Sequence, residues 1–306
     1  MPTLPILRAS FEATGSGRWL MQTIVDQALD HAHGFRLQLA LSDDGVKGGL
    51  QATEARLAAG EVDFIDTDWL SIARCRRDGL SVTGAVPYGA IFGGLVAADD
   101  ASVRSLEDLP GKSIGVVRRL DKNWLLLRAA CQQVHGFDPQ RACQVVEAGS
   151  KTALAELLRE GEVDAALLFW HQIPALLAEG GYLEVCDMLE LLPLLGVRDV
   201  PSTFFVFRDE LVAANPALVR GFARALRAAT AVLRKDPAAW QAAAGAEGEE
   251  GAALRRKWLT RIKPEWQADM AQELQKLAGV LGDLQPETKF DKLPQGTLSV
   301  TLMSEA

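Results

Sequence analysis

The sequence GEVDFIDTDW at residues 60–69 recurs in altered form as GEVDAALLFW at residues 161–170. Each copy follows an amphipathic segment at helical period and continues into an apolar run that ends at a tryptophan. Two equivalent helix–turn–strand units predict a chain built from two similar halves. The alternative is a coincidence between two common segments of this type.

Strand-like and helix-like segments alternate around these two units as far as residue 179. Residues 17–34, for example, place their apolar side chains on one helical stripe between two strand-like segments. This alternation favours sheets in which most strands are parallel, and such sheets bind ligands at the carboxyl ends of their strands. Two such halves facing each other therefore predict a cleft. Residues 209–235 predict one long helix, and most of 238–283 is predicted to be helical.

Length and composition exclude several classes of protein. The chain has 306 residues, enough for about two domains. The composition of 48% hydrophobic and 24% charged residues excludes a disordered chain. The sequence has no apolar run long enough to span a membrane. A net charge of −8 argues against nucleic acid as a partner.

The cysteines and histidines form no metal or redox motif. The four cysteines contain no C-x-x-C pair, and the four histidines have no spacing typical of zinc. We therefore expect no metal site and four buried free thiols. A bridge between Cys131 and Cys143 in an oxidising compartment is the alternative.

The segment SLEDLPGKSIGV at 105–116 resembles the phrase that opens the second lobe of type II periplasmic solute-binding proteins. The similar branch serves sulfonates, nitrate, taurine and thiamine precursors through ABC importers. The two Gly-Glu-Val-Asp units and the run 206–219 are also similar, so the resemblance spans about residues 6–240. It implies an α/β fold of two lobes, each a mainly parallel sheet flanked by helices, with the ligand cleft between the lobes.

The resemblance also implies domain boundaries. Residues 1–100 and 200–306 would form lobe 1, which includes the C-terminal helices, and residues 101–199 would form lobe 2. The crossovers would lie near Val96–Ser105 and Gly196–Thr203, and ligand binding would close the lobes about them.

Location and partners are likewise implied by the resemblance. Family members work outside the cytoplasmic membrane, so we expect a periplasmic protein. Residues 1–20 themselves lack the basic start and apolar run of a secretory leader. The expected partners are an anionic small-molecule ligand and an ABC permease, and the expected state is a monomer.

Two glycine-containing stretches fail the patterns of nucleotide-binding loops. The Gly-Lys-Ser triplet that begins at Gly111 has leucine where a phosphate loop needs its first glycine. The stretch TGSGRW at 14–19 has Leu20 in place of the third glycine of a dinucleotide fingerprint. Amides at that helix start, beside Thr14, could still hold an anion. Alternatively, Thr14 or Ser16 caps the helix.

Positive charge concentrates locally in this acidic chain. Arg118 ends a predicted strand and Lys122 begins the next helix, where a ligand should lie. The related branch often has glycine followed by serine or threonine here. Longer cationic side chains would suit a larger ligand with several carboxylates. The alternative is a solvated helix end with Asp121 as its cap and Lys122 pointing outward. The whole basic cluster is Lys112, Arg118, Arg119, Lys122 and Arg128.

Aromatic side chains are predicted to supply flat surfaces in the cleft. Four tryptophans fall at or near strand-to-helix junctions, and we expect two or three of them to line the cleft, where they could stack on a planar ligand. Thr67, Tyr88 and His171 are further candidates, although a helix-start histidine is commonly just exposed. The four tryptophans are Trp19, Trp69, Trp124 and Trp170.

These features together predict a binding protein rather than an enzyme. An enzymatic relative that makes a thiamine precursor depends on a clustered-cysteine motif, which this sequence lacks. A flat polycarboxylate outside the cytoplasm points to pyrroloquinoline quinone, bound for import or buffering and not as a catalytic cofactor. The chain resembles receptors of methylotrophs for this quinone, and Lys122 could add to its carbonyl.

Other ligands and classes stay open at this point. Sulfonates, nitrate, aromatic carboxylates and thiamine precursors are the alternative ligands. A precursor synthase or a sensor subunit on the same fold is the alternative of another class.

Overall fold

The computed structural model describes residues 3–42, 49–198, 200–267, 269–289 and 292–305. Within these ranges, ten strands form two five-stranded sheets. The strands are β1 Ile6–Glu12, β2 Arg36–Ser42, β3 Phe64–Asp68, β4 Val82–Gly89, β5 Gly94–Ala98, β6 Ser113–Val116, β7 Gln144–Glu147, β8 Ala165–Leu168, β9 Tyr182–Asp187 and β10 Thr203–Arg208.

Helices cover both sheets. The helices of the described ranges are α1 Ser16–Asp26, α2 Leu29–Ala32, α3 Gly49–Ala58, α4 Trp69–Arg77, α5 Lys122–Ala130, α6 Pro139–Ala142, α7 Lys151–Arg159, α8 Ile173–Glu179, α9 Asp209–Ala214, α10 Pro216–Lys235, α11 Pro237–Ala244, α12 Gly248–Arg261, α13 Met270–Leu284 and α14 Val300–Glu305. None of them is both long enough and apolar enough to cross a membrane.

The repeated sequence unit forms the same structure twice. The glycine that begins each copy follows a helix and has a left-handed backbone conformation, with φ of 73° at Gly60 and 70° at Gly161. The aspartate then accepts a backbone N–H from the neighbouring parallel strand: Asp63 from Arg8 at 2.8 Å, and Asp164 from Ser113 at 2.7 Å. This identical bonding excludes coincidence and supports the two-half prediction.

Both sheets are mixed, with one strand that opposes the other four. The first sheet has the order β2-β1-β3-β10-β4, and the second has β7-β6-β8-β5-β9. Strand β10 is antiparallel to β3 and β4, and β5 is antiparallel to β8 and β9. Each opposing strand is the first one that the chain forms after it crosses from the other sheet. The two-lobed α/β prediction is therefore confirmed, with sheets that are not purely parallel.

The first crossover between the two sheets lies earlier in the chain than the sequence predicted. The chain leaves the first sheet at Gly89 and enters the second at Gly94, so Val96 lies inside β5. The return passage runs from Asp187 to Thr203 and includes the predicted crossover near Gly196. Strand β5 therefore pairs with the second sheet, although the sequence-based boundary assigned it to the first lobe.

The C-terminal third contacts both halves. Helices α10 and α11 pack against α1 beside the first sheet, whereas α13 packs against α5 on the second-sheet side. Just after α13, buried Gln285 donates from its amide nitrogen to the carbonyl oxygen of Leu125 at 2.7 Å. The predicted helix 209–235 is in fact two helices, because Asn215 adopts a non-helical conformation and caps α10 ahead of Pro216.

Candidate ligand-binding cleft

A cavity lies between the carboxyl ends of the strands of the two sheets. Its volume is about 90 Å³, which is room for several water molecules or a small ligand. The ends of β1 and β3 and the loops after β6 and β8 form its walls. Seven of the predicted site residues line it: Thr14, Thr67, Tyr88, Arg118, Lys122, Trp170 and His171.

Two cations from the second-sheet side point into this cavity. Lys122 begins α5, is only 9% exposed, and has no hydrogen bond or ion pair to any described residue. Arg118 reaches Ser71 with one terminal nitrogen at 3.4 Å, while its buried Nε has no partner among the described residues. Asp121 does cap α5, as the alternative interpretation required, but Lys122 does not point outward.

The rest of the basic cluster binds elsewhere. Arg119 pairs with Glu147 at 2.8 Å. Arg128 pairs with Asp138 and Glu287, each at 2.7 Å. Lys112 bonds to a serine hydroxyl on the surface. Only two members of the predicted cluster thus reach the ligand cavity.

An ion pair that we did not predict from the sequence joins the two sides of the cavity. Lys151, at the start of α7, pairs with Glu12, at the end of β1. The Lys151 ammonium also lies 4.7 Å from the ring centre of Phe169. Glu12 ends β1, and Lys151 begins the helix that follows β7. Ligands bind at the carboxyl ends of parallel strands, so considering every such strand end would have predicted both residues.

Two aspartates at the end of β3 face the same cavity. Burial and the like charge of Glu12 raise the pKa of Asp66 to about 6, against the opposing effects of Lys151 and Lys122. Burial would also raise the pKa of Asp68, but Lys122, Arg74 and Arg118 outweigh burial, so that this pKa is lowered. The alternation Asp66-Thr67-Asp68 was the missed signal, because it places two carboxylates at a strand end.

Two predicted site residues keep neutral polar groups at the cavity. The Tyr88 hydroxyl bonds to Ser16, and burial with the nearby Asp66 raises the pKa of Tyr88 well above its ordinary value. Burial and Lys151 lower the pKa of His171 to about 3, so its imidazole is neutral near pH 7.

The start of α1 also forms part of the wall. Its cap residue is Gly15, with φ of 90° and no side-chain cap, so neither Thr14 nor Ser16 caps the helix as we considered. A Cβ at Gly15 would lie 3.4 Å from the His171 ring, which packs there from the opposite side. That distance is an ordinary contact, so glycine suits this position for its backbone conformation rather than for space.

Three of the four predicted tryptophans do not line the cavity. Trp69 and Trp124 are 1% and 0% exposed in the hydrophobic core, because the first turn of each helix presents its apolar side to the sheet. Trp19 packs edge-on against Trp240 at 5.5 Å between ring centres. Only Trp170 reaches the cavity wall.

Trp170 nevertheless contributes more to packing than to an open stacking surface. It follows β8 of the second sheet, yet it is 2% exposed and lies in the aromatic core beside the first sheet. Its ring centre is 6.0 Å from that of Trp19, in an edge-on arrangement. With the Lys151–Glu12 and Arg118–Ser71 contacts, this insertion holds the two halves together over the cavity.

The cysteines and acidic residues provide no metal-binding group in the part of the chain that the structure describes. All four cysteines are free thiols, so the Cys131–Cys143 bridge is not formed. Of the four, Cys131 alone is buried, and the expectation of buried thiols is wrong for the partly exposed Cys75, Cys143 and Cys186. Burial raises the pKa of Cys131 to about 12 and that of Cys143 to about 11.

Known structures share this architecture over nearly the whole chain. The periplasmic aliphatic sulphonate binding protein SsuA from Escherichia coli has 16% sequence identity, with 98% of this chain and 97% of that chain covered, at a TM-score of 0.72. The alkanesulfonate-binding protein SsuA from Xanthomonas axonopodis, bound to MOPS, has 17% identity, 99% coverage of both chains and a TM-score of 0.72.

A third similar structure is the ligand-binding component of an ABC-type import system from Staphylococcus aureus, with zinc bound. It has 12% identity, 99% coverage of both chains and a TM-score of 0.75. At these identities the likeness shows the fold, which is that of periplasmic binding proteins. No curated protein matches the sequence.

The family assignment rests on the sequence itself. The profile of the family described as NMT1/THI5 like matches residues 46–240, well over half of the chain. The matched region contains both repeated units, the cationic cavity residues and the carboxylates of β3. The chain belongs to the NMT1/THI5-like family.

Proposed function

We propose that this protein is an extracytoplasmic solute-binding protein that encloses a small ligand between its two lobes. One observation carries the proposal: Lys122 and the Arg118 Nε are buried at the strand ends without a partner among the described residues. Buried cationic donors without partners are costly, and an anionic group of a ligand would satisfy both.

The proposed protein binds its ligand without changing it. Two of the similar structures named above are sulfonate-binding proteins and the third is the ligand-binding component of an ABC-type import system, which supports this class over a precursor synthase. Delivery to an ABC permease or buffering of the ligand outside the cytoplasm would follow from binding.

We infer an anionic ligand with a small planar part. Phe169 and Trp170 both line the cavity, and aromatic rings favour flat partners. Aromatic sulfonates and aromatic carboxylates fit this description best, and the other candidate ligands meet it only in part.

Pyrroloquinoline quinone is the most specific candidate within this class. Arg118 and Lys122 could each pair with one of its carboxylates. Against it, Glu12, Asp66 and Asp68 line the same cavity, and like charges so close disfavour a tricarboxylate. Carboxylates also surround Lys122, whose charge helps to lower the pKa of Asp68, so we do not extend the proposal to a covalent adduct.

A binding screen tests this proposal. Native mass spectrometry would measure one-to-one complexes with alkanesulfonates, aromatic carboxylates, the pyrimidine precursor of thiamine and pyrroloquinoline quinone, and each compound would then be recovered and identified. We expect at least one compound to bind and to return unchanged. A converted compound would instead support the enzyme alternative.

Neighbouring arginines supply a matched pair of variants. Arg118→Gln should weaken binding of the compound found by at least about tenfold, because it removes a charged donor from the cavity. Arg119→Gln should leave binding unchanged, since Arg119 pairs with Glu147 away from the cavity. No complex with any compound, or equal effects of the two variants, would contradict the proposal.

A further inference from the structure

We propose that the ligand carries charge of both signs: an anionic group for Lys122 and Arg118, and a protonated or N–H-bearing nitrogen for Asp66. The inference rests on the proposed function and narrows its ligand class. It makes Asp66 a specificity-determining residue on the first-sheet side of the cavity.

Four of the five carboxylates that line the cavity accept a hydrogen bond or ion pair from another residue. Glu12 pairs with Lys151, and Glu54 accepts the Thr67 hydroxyl at 3.2 Å. Asp68 accepts the backbone N–H of Ser71 at 2.9 Å, and Asp121 accepts that of Asn123 at 2.8 Å. Among the five cavity carboxylates, Asp66 alone accepts no hydrogen bond or ion pair from another described residue, and its own backbone N–H is the protein donor that it has. A donor from the ligand would fill this gap.

The unpaired groups of opposite sign lie across the cavity from one another. Asp66 belongs to β3 of the first sheet, while Lys122 and Arg118 follow β6 of the second. The second observation that points to a ligand is Lys122, nine-tenths buried and without a bonded partner in the described residues. A ligand that spanned the cavity would thus meet a cationic end and an acidic end.

The surroundings of Asp66 favour a cationic or donor group there. Glu12 on β1 repels the negative charge of Asp66, whereas Lys151 on α7 and Lys122 on α5 attract it. The charge of Asp66 in turn raises the pKa of the nearby Tyr88 on β4. Burial and Glu12 together raise the pKa of Asp66 to about 6. A positive nitrogen beside Asp66 would offset both causes and shift the carboxyl to its ionised form.

A ligand that carries only negative charge would bind poorly in this cavity. It would neutralise Lys122 and Arg118, the same cations that now attract the negative charges of the aspartates. Asp66 would then face an added negative charge with no donor of its own. A ligand with both signs of charge satisfies both ends at once, which is how charge complementarity produces specificity.

The test uses two probes that differ only in the proposed nitrogen: 4-(aminomethyl)benzoate and 4-methylbenzoate. Isothermal titration with the full chain should show the amine binding at least about tenfold more tightly at neutral pH. Asp66→Asn should remove this preference and tighten 4-methylbenzoate binding, because the negative charge that opposes this anion is lost. In the parent, the preference should grow as pH rises through about 6, because ionised Asp66 binds the ammonium more strongly.

The outcomes separate this inference from the proposed function. Equal affinity for the two probes, or an Asp66→Asn loss that is the same for both, would overturn the inference. So would a best ligand in the wider screen that lacks any nitrogen donor, although such a ligand would uphold the solute-binding proposal. Failure of every compound in both experiments would instead refute the proposed function.

Discussion

Replacing Asp66 with asparagine should stabilise the ligand-free protein, and the gain should depend on pH. The carboxyl has a pKa of about 6 in the folded chain, compared with an ordinary value of 3.8. Between these values the folded chain keeps a proton that the unfolded chain releases. The free energy of unfolding therefore falls as pH rises through this window.

The magnitude follows from the size of the pKa shift. About two pH units at roughly 1.4 kcal/mol each give a penalty of about 3 kcal/mol above pH 7. At about pH 4.5 the same relation leaves roughly 1 kcal/mol, because Asp66 is then protonated in most folded molecules. Because Asp66 is only partly buried, solvent screening reduces both figures. The neutral asparagine carries no such penalty.

Urea unfolding of parent and Asp66→Asn at about pH 4.5 and about pH 8 measures the effect. We expect the variant's advantage to be larger by about 1–2 kcal/mol at the higher pH. Asp283→Asn, an exposed change on α13, is the control and should show no such difference. An advantage independent of pH, or a less stable variant at about pH 8, would refute the electrostatic reasoning for Asp66.

Three further results are expected. Trp170→Ala should lower the free energy of unfolding in urea by about 3–5 kcal/mol, since it empties a buried aromatic site; a loss below about 1 kcal/mol would contradict that packing. Glu12→Gln should open the ligand-free lobes and increase the radius of gyration in small-angle scattering, because Lys151 loses its partner; an unchanged radius would show that this pair does not hold the lobes. Cys131, which is buried and whose pKa burial raises to about 12, should resist a thiol reagent near pH 8 until the chain unfolds; fast reaction in the native protein would be inconsistent with its burial.

The two-lobed fold was accessible from sequence because its evidence is local. A helix, a left-handed glycine and a buried strand occupy adjacent positions, and the aspartate of each unit binds the next strand in the same way. Strands β5 and β10 were harder to predict. Their apolar runs, such as 203–207, follow a crossover rather than a helix, and the direction of a strand depends on which sheet it enters.

The cavity was accessible only in part, since a junction position does not determine where a side chain points. Trp124 and Lys122 are two residues apart on α5, yet one enters the core and the other lines the cavity. Arg118 and Arg119 diverge in the same way. Asp66 was not predicted, because the alternation Asp66-Thr67-Asp68 does not by itself show that burial and charges from other elements act on this carboxylate.

A crystal structure of the protein with the tightest compound from the screen tests the central claim most directly. The account predicts the compound between the two sheets, with its anionic group within hydrogen-bond distance of Lys122 and Arg118. A compound bound outside this cavity, for example in the surface groove beside residues 98–100 and 158–161, would contradict it.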